Sequence, residues 1–122
     1  SQSDIVSIHL PVLPSTKAIV NKDWFSKMKP TAYVINTARA AVIDQKDFVE
    51  ALQNKEIAGA AIDVYWEEPV QANHQLLSMR NVLCTPLMAV LSTDVDNWSG
   101  EMMSQEVLAY LNNEELKYVW KR

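Results

Sequence analysis

Four short apolar runs, "DIVSIHLPV" (4–12), "AYVINTA" (32–38), "AGAAIDVY" (58–65) and "NVLCTP" (81–86), constrain this chain more than anything else in it. Each is too short for a helix that must cover a core, and each is rich in Ile, Val or small residues, as strands are. Between the first three lie helical patterns. Residues 21–29 read as a short helix with Asn21 as cap and Trp24, Phe25 and Met28 on one face. Residues 43–57 form the strongest helix, capped by Asp44, with Phe48 and Leu52 four apart and Lys55 in the last turn. Residues 66–79 read as a polar loop. From Thr93 or Asp94 a long helix runs to about Asn112, with Trp98, Met102 and Tyr110 among its apolar positions. Strands alternating with helices predict an α/β fold with a parallel sheet, and strands apolar on both faces belong in one.

Length and charge narrow the possibilities. The 122 residues suffice for one small domain. A net charge of −4 without a basic cluster argues against nucleic acid and anionic membranes as partners. No apolar run is long enough to span a bilayer. The single cysteine, Cys84, fits a reducing, cytoplasmic setting, and its apolar neighbours favour a packed, inert thiol. The start at Ser1 and the presence of only two glycines, Gly59 and Gly100, suggest a fragment of something longer.

In an open parallel sheet, ligands bind beyond the carboxyl ends of the strands. That rule points to the loops starting near His9-Leu10-Pro11, Thr37-Ala38-Arg39, Asp63-Val64-Tyr65 and Thr85-Pro86-Leu87. Taken alone, these residues leave the chemistry open. Asp63 can be a satisfied strand-end carboxylate, Glu67 and Glu68 solvated loop charges, Arg39 a strand-end cap, and Thr16 a turn residue. His9 and His74 read as packed or solvated imidazoles. No metal spacing, nucleophile elbow or phosphate loop occurs. A signalling receiver domain would need an acidic pair after the first strand, where this chain has Leu10-Pro11-Val12.

Four segments, in order and correctly spaced, resemble the D-isomer-specific 2-hydroxyacid dehydrogenases: "SDIVSIHLPVLPSTKAIVN", "MKPTAYVINTARAAVID", "LQNKEIAGAAIDVYWEEP" and "LLSMRNVLCTP". The resemblance implies the second half of a Rossmann-type NAD-binding domain over 1–112, with 113–122 returning toward a substrate domain that this sequence does not contain. It implies NAD as cofactor, with NADP open, and a small 2-hydroxy or 2-oxo acid as substrate. Arg39 would grip the substrate carboxylate, and Glu68 would orient the catalytic histidine. Leu10 and Pro11, Thr16, the Thr37–Ala38 backbone and Asp63 would line the cofactor.

The chain departs from the family in three places. The family's proton-transferring histidine follows Thr-Pro, and Leu87 stands there. Its Arg-Gly is Arg39-Ala40, and the glycines after the histidine are Met88-Ala89-Val90-Leu91, which implies a more apolar, crowded pocket. No G-x-G-x-x-G loop occurs. The expectation is therefore a fragment that binds NAD weakly and turns over nothing alone. The alternative is a non-catalytic relative serving as a binding or oligomerisation module. The strand edge at Ile5–Leu10, lacking a neighbour, is expected to drive self-association, giving a homodimer.

Overall fold

A computed structural model describes residues 1–119. The chain divides into two compact units, Ser1–Ala89 and the residues from Val90 on. The first unit is a four-stranded parallel sheet in sequential order: β1 (Ile5–Ile8), β2 (Tyr33–Asn36), β3 (Gly59–Ile62) and β4 (Val82–Cys84). All four apolar runs become strands, each shorter than its run. Pro11 and Pro86 supply no amide to a ladder. At the ends of β2 and β3, Asn36 and Asp63 turn the chain into loops.

Register explains which side chains make the core. Ile8, Asn36, Ile62 and Cys84 lie in one row across the sheet, and Val34 and Ala60 lie in a second row on the same face. This face meets α1 (Lys22–Phe25), α2 (Gln45–Gln53) and α3 (Gln75–Ser78) through Phe25, Phe48, Leu52 and Leu76, all buried. Phe48 sits between Phe25 and Trp66, with ring centroids 5.7 and 6.2 Å away.

The opposite face differs from the expectation of strands buried on both sides. Ile5, Tyr33 and Leu83 are 62%, 51% and 65% exposed, because α1, α2 and α3 cover one face only. On the open face Gly59 is required by contact. A Cβ there would collide with the carbonyl oxygen of Asn81 and lie 3.0 Å from the Tyr33 ring.

The first two helices, α1 and α2, are also shorter than the periodicity suggests. The Asn21 side chain makes no cap bond to α1. Asp47 of α2 replaces it, accepting from the Lys22 amide at 2.8 Å. Asp44 caps α2 as anticipated, accepting from the Asp47 amide. Lys55 lies beyond the end of α2, in a left-handed turn with φ 57°. A single 3-10 turn, Ala40–Val42, precedes α2. The stretch read as a polar loop contains α3, four residues long, with His74 as its cap.

The second unit holds α4 (Thr93–Leu111), capped by Ser92, and none of its residues is buried. Trp98 and Tyr110, expected on an apolar face, are 73% and 71% exposed. Of the 113–122 segment expected to return toward a substrate domain, residues 113–119 form no helix or strand. The remainder of that segment, 120–122, lies outside the described residues. Among these, no helix is long and apolar enough to cross a membrane.

Candidate active site

Because the four strands are parallel, the loops after Ile8, Asn36, Ile62 and Cys84 leave the same rim. Two buried polar side chains, one in the core row of β2 and one just past β3, fold these loops. Asn36 is 1% exposed. Its Nδ2 donates to the Arg39 carbonyl, and its Oδ1 accepts from the Ala38 amide, both at 3.0 Å. The turn that presents Arg39 is thus closed by one buried carboxamide. Arg39 itself is exposed, and its Nη1 donates to the Ala38 carbonyl at 2.7 Å.

Asp63 is the second. It is 4% exposed, and its carboxylate accepts from the Thr85 hydroxyl, the Met88 amide at 2.9 Å and the Ala89 amide at 2.9 Å. Its own carbonyl accepts from the Leu87 amide at 3.1 Å. Burial acts to raise its pKa, but the bonds from Thr85, Ala89 and Met88 outweigh it and hold the carboxyl below its ordinary value. Residues 85–89 are wrapped around this group, and Leu87 is driven to φ 53°. A leucine in the left-handed region carries a strain of roughly 1–2 kcal/mol.

The loop after β3 is pinned near its start by two adjacent aromatic residues. Trp66 Nε1 donates to the Ile43 carbonyl at 3.0 Å, and the Tyr65 hydroxyl donates to the Thr85 carbonyl at 3.1 Å. Glu68 is exposed and accepts from the Tyr65 amide at 3.3 Å. Burial, with Cys84 and Asp63 nearby, pushes the Tyr65 phenol up to about 12. Burial also raises the thiol of Cys84, which fits an inert packed cysteine.

These loops enclose a cleft of about 260 Å³ lined by Arg39, Ala40, Val64, Tyr65, Glu68 and Leu87. Of the residues singled out in the sequence, Arg39 and Glu68 meet here, with Leu87 on the wall. Asp63 does not line it; it is buried and holds the loop. Asn36, Thr85 and Tyr65 had no role assigned from sequence. The signal for Asn36 was a polar residue at an apolar strand position. Among the described residues, neither Arg39 nor Glu68 enters an ion pair.

The remaining candidates lie elsewhere on the rim. Thr16 is spent on its own turn, donating to the Pro11 carbonyl at 2.6 Å and accepting from the Leu13 amide at 2.8 Å. Leu10, Pro11 and Thr37 are exposed and Ala38 is half-buried. His9 bonds to Ser7, and His74 bonds to Gln45 in a wider groove along α2, away from the cleft. No group of three metal-ligand side chains gathers among the described residues. Among the described residues no glycine-rich loop is present to cradle a dinucleotide's pyrophosphate, since Gly59 and Gly100 lie within β3 and α4.

Comparison with known proteins gives a consistent picture. Residues 1–89, the first compact unit, match the family model described as D-isomer specific 2-hydroxyacid dehydrogenase, NAD binding domain. A glyoxylate reductase of Thermofilum pendens is 41% identical over 113 residues, 93% of this chain and 33% of that protein. The human glyoxylate reductase/hydroxypyruvate reductase is 34% identical over 95% of this chain and 35% of its own length. A D-lactate dehydrogenase from Lactobacillus jensenii, solved with NAD+, superposes with a TM-score of 0.80 at 30% identity, covering 99% of this chain and 40% of that one. A dehydrogenase from Xanthobacter autotrophicus, solved with NADPH and MES, gives 0.82 at 29% identity, covering 93% and 46%. The chain thus spans about a third of the length of the relatives it matches in sequence.

Proposed function

The chain belongs to the D-isomer-specific 2-hydroxyacid dehydrogenases, matching their NAD-binding domain, and from that premise we propose that its rim cleft is the carboxylate-gripping part of a 2-oxo/2-hydroxy acid site. One observation carries this: Arg39 and Glu68, from loops after different strands, line the same small cleft. Arg39 has one N–H committed to Ala38, and the rest of its planar fork is available to a carboxylate. Ala40, Val64 and Leu87 supply apolar walls that thin out water, which strengthens the grip.

NAD, or NADP, supplies the hydride exchanged with the substrate carbon when bound. The proton is the weak point of the cleft. Leu87 occupies the position where the family resemblance places the histidine, and leucine transfers none. The Tyr65 hydroxyl is committed to the Thr85 carbonyl and is too weak an acid near neutral pH. Glu68 has no imidazole to orient. The reading is a site that still binds its acid while proton transfer is lost, in a chain inactive by itself. Leu87 equally favours a second reading, a non-catalytic relative acting as a binding or oligomerisation module.

The binding claim is tested in a chimera. This chain replaces the matching 113 residues of the Thermofilum glyoxylate reductase, and oxamate, an unreactive 2-oxo acid analogue, is titrated in the presence of NADH. Arg39→Ala weakens oxamate binding about 10–100-fold, as loss of hydrogen bonds to a charged group does. An unchanged Kd would remove Arg39 from the site.

Self-association belongs to the same reading. β1 lies at the sheet edge, and Ile5 is 62% exposed. An unpaired apolar edge adds strands readily. The 122-residue chain is expected to scatter light as a dimer or larger species. A monomer across a wide concentration range overturns this.

A further inference from the structure

We propose that Asp63 is a positioning residue: its carboxylate is the clip that holds residues 85–89 around it and so fixes the cleft wall at Leu87. The role rests on reading the cleft as the substrate site, but the clip itself stands on geometry alone. Three donors converge on the carboxylate from one five-residue loop: the Thr85 hydroxyl and the Met88 amide on Oδ1, and the Ala89 amide on Oδ2. The Leu87 amide closes the loop on the Asp63 carbonyl, and the Tyr65 hydroxyl closes it on the Thr85 carbonyl. Of the carboxylate's roughly four acceptor positions, three are filled. At 4% exposure the group is buried among these donors.

The left-handed backbone at Leu87 shows what the clip achieves. A leucine leaves that region unless its neighbours are fastened. Met88 and Ala89, the next two residues, are both fastened to Asp63. Releasing them frees Leu87, and the cleft loses the wall facing Arg39 and Glu68.

The test uses the whole 122-residue chain, isotopically labelled, without dinucleotide or 2-oxo acid. The titratable groups nearest Asp63 are Tyr65 and Cys84, both shifted upward and neutral throughout the acid range. Glu68, bonded to the Tyr65 amide, is a carboxylate on the adjoining loop. Lowering the pH from neutral should move the Met88 and Ala89 amide resonances together, with a single midpoint below the ordinary carboxylate range. Glu68→Gln should leave that midpoint in place. Asp63→Asn should abolish it, speed amide exchange at Met88 and Ala89 by about tenfold or more, and erase the left-handed carbon-13 shift pattern of Leu87. If Asp63→Asn does not fold, the wild-type and Glu68→Gln titrations decide. The proposal is overturned by amides that ignore the Asp63 titration, or by Asp63→Asn keeping slow exchange and the Leu87 pattern. Because no ligand is present, a failure of the Arg39 experiment would leave this result untouched, and the reverse also holds.

Discussion

Phe48→Ala lowers the unfolding free energy of the Ser1–Ala89 unit by about 3–5 kcal/mol, the range for truncating a buried phenylalanine. The ring has no exposed surface and is held between Phe25 of α1 and Trp66 of the loop that carries Glu68. Small domains hold only about 5–15 kcal/mol in total. This one covers a single face of its sheet, so the loss is a large share of what it has. In urea the expected result is a much lower midpoint with an unchanged slope. A shift worth under about 1 kcal/mol would mean that the α1–α2–sheet core is not the one described. The same substitution loosens the Trp66 anchor and should broaden resonances around Glu68 before global unfolding.

The elements were legible because of their periodicity, and their ends were not. All four strands announced themselves as short apolar runs, and α2 did so through Asp44, Phe48 and Leu52. Their lengths are fixed by groups that periodicity does not show: the turn closed by Asn36, the loop gathered on Asp63, and the prolines. The α1 cap illustrates the difficulty. Asn21 is a good cap by composition, yet Asp47, 25 residues on from Lys22, makes the bond. Long-range caps leave no local signal. α3 was hidden because four residues in a polar stretch carry no period. The open face was hidden too, since an apolar strand looks the same whether one or both faces are covered.

At the site, the sequence singled out Arg39 and Glu68, and they share the cleft. Asp63, which the family resemblance assigns to the cofactor site, is buried under three donors from residues 85–89. Asn36 carried a visible cue, an amide in the core row of a strand. Tyr65 carried none, because an aromatic residue after a strand is ordinary.

The largest effect expected of any substitution is at position 87. The side chain there lines the cleft with Arg39 and Glu68, on a backbone already held in one unusual conformation. A histidine placed on that backbone enters the cleft beside the Glu68 carboxylate, which favours its protonated form. A positioned general acid contributes about 10²–10⁴-fold to rate. The cost in fold is small, since Leu87 is 52% exposed and leaves no core cavity when removed.

The decisive measurement is NADH-dependent glyoxylate reduction by the Thermofilum chimera with leucine or histidine at position 87. Leu87→His should raise kcat about 10²–10⁴-fold, leave oxamate affinity close to its starting value and introduce a pH dependence in the imidazole range. If Leu87→His gives no gain while Arg39 still holds oxamate, or if the leucine chimera already matches the parent enzyme, then position 87 is not where the proton is missing.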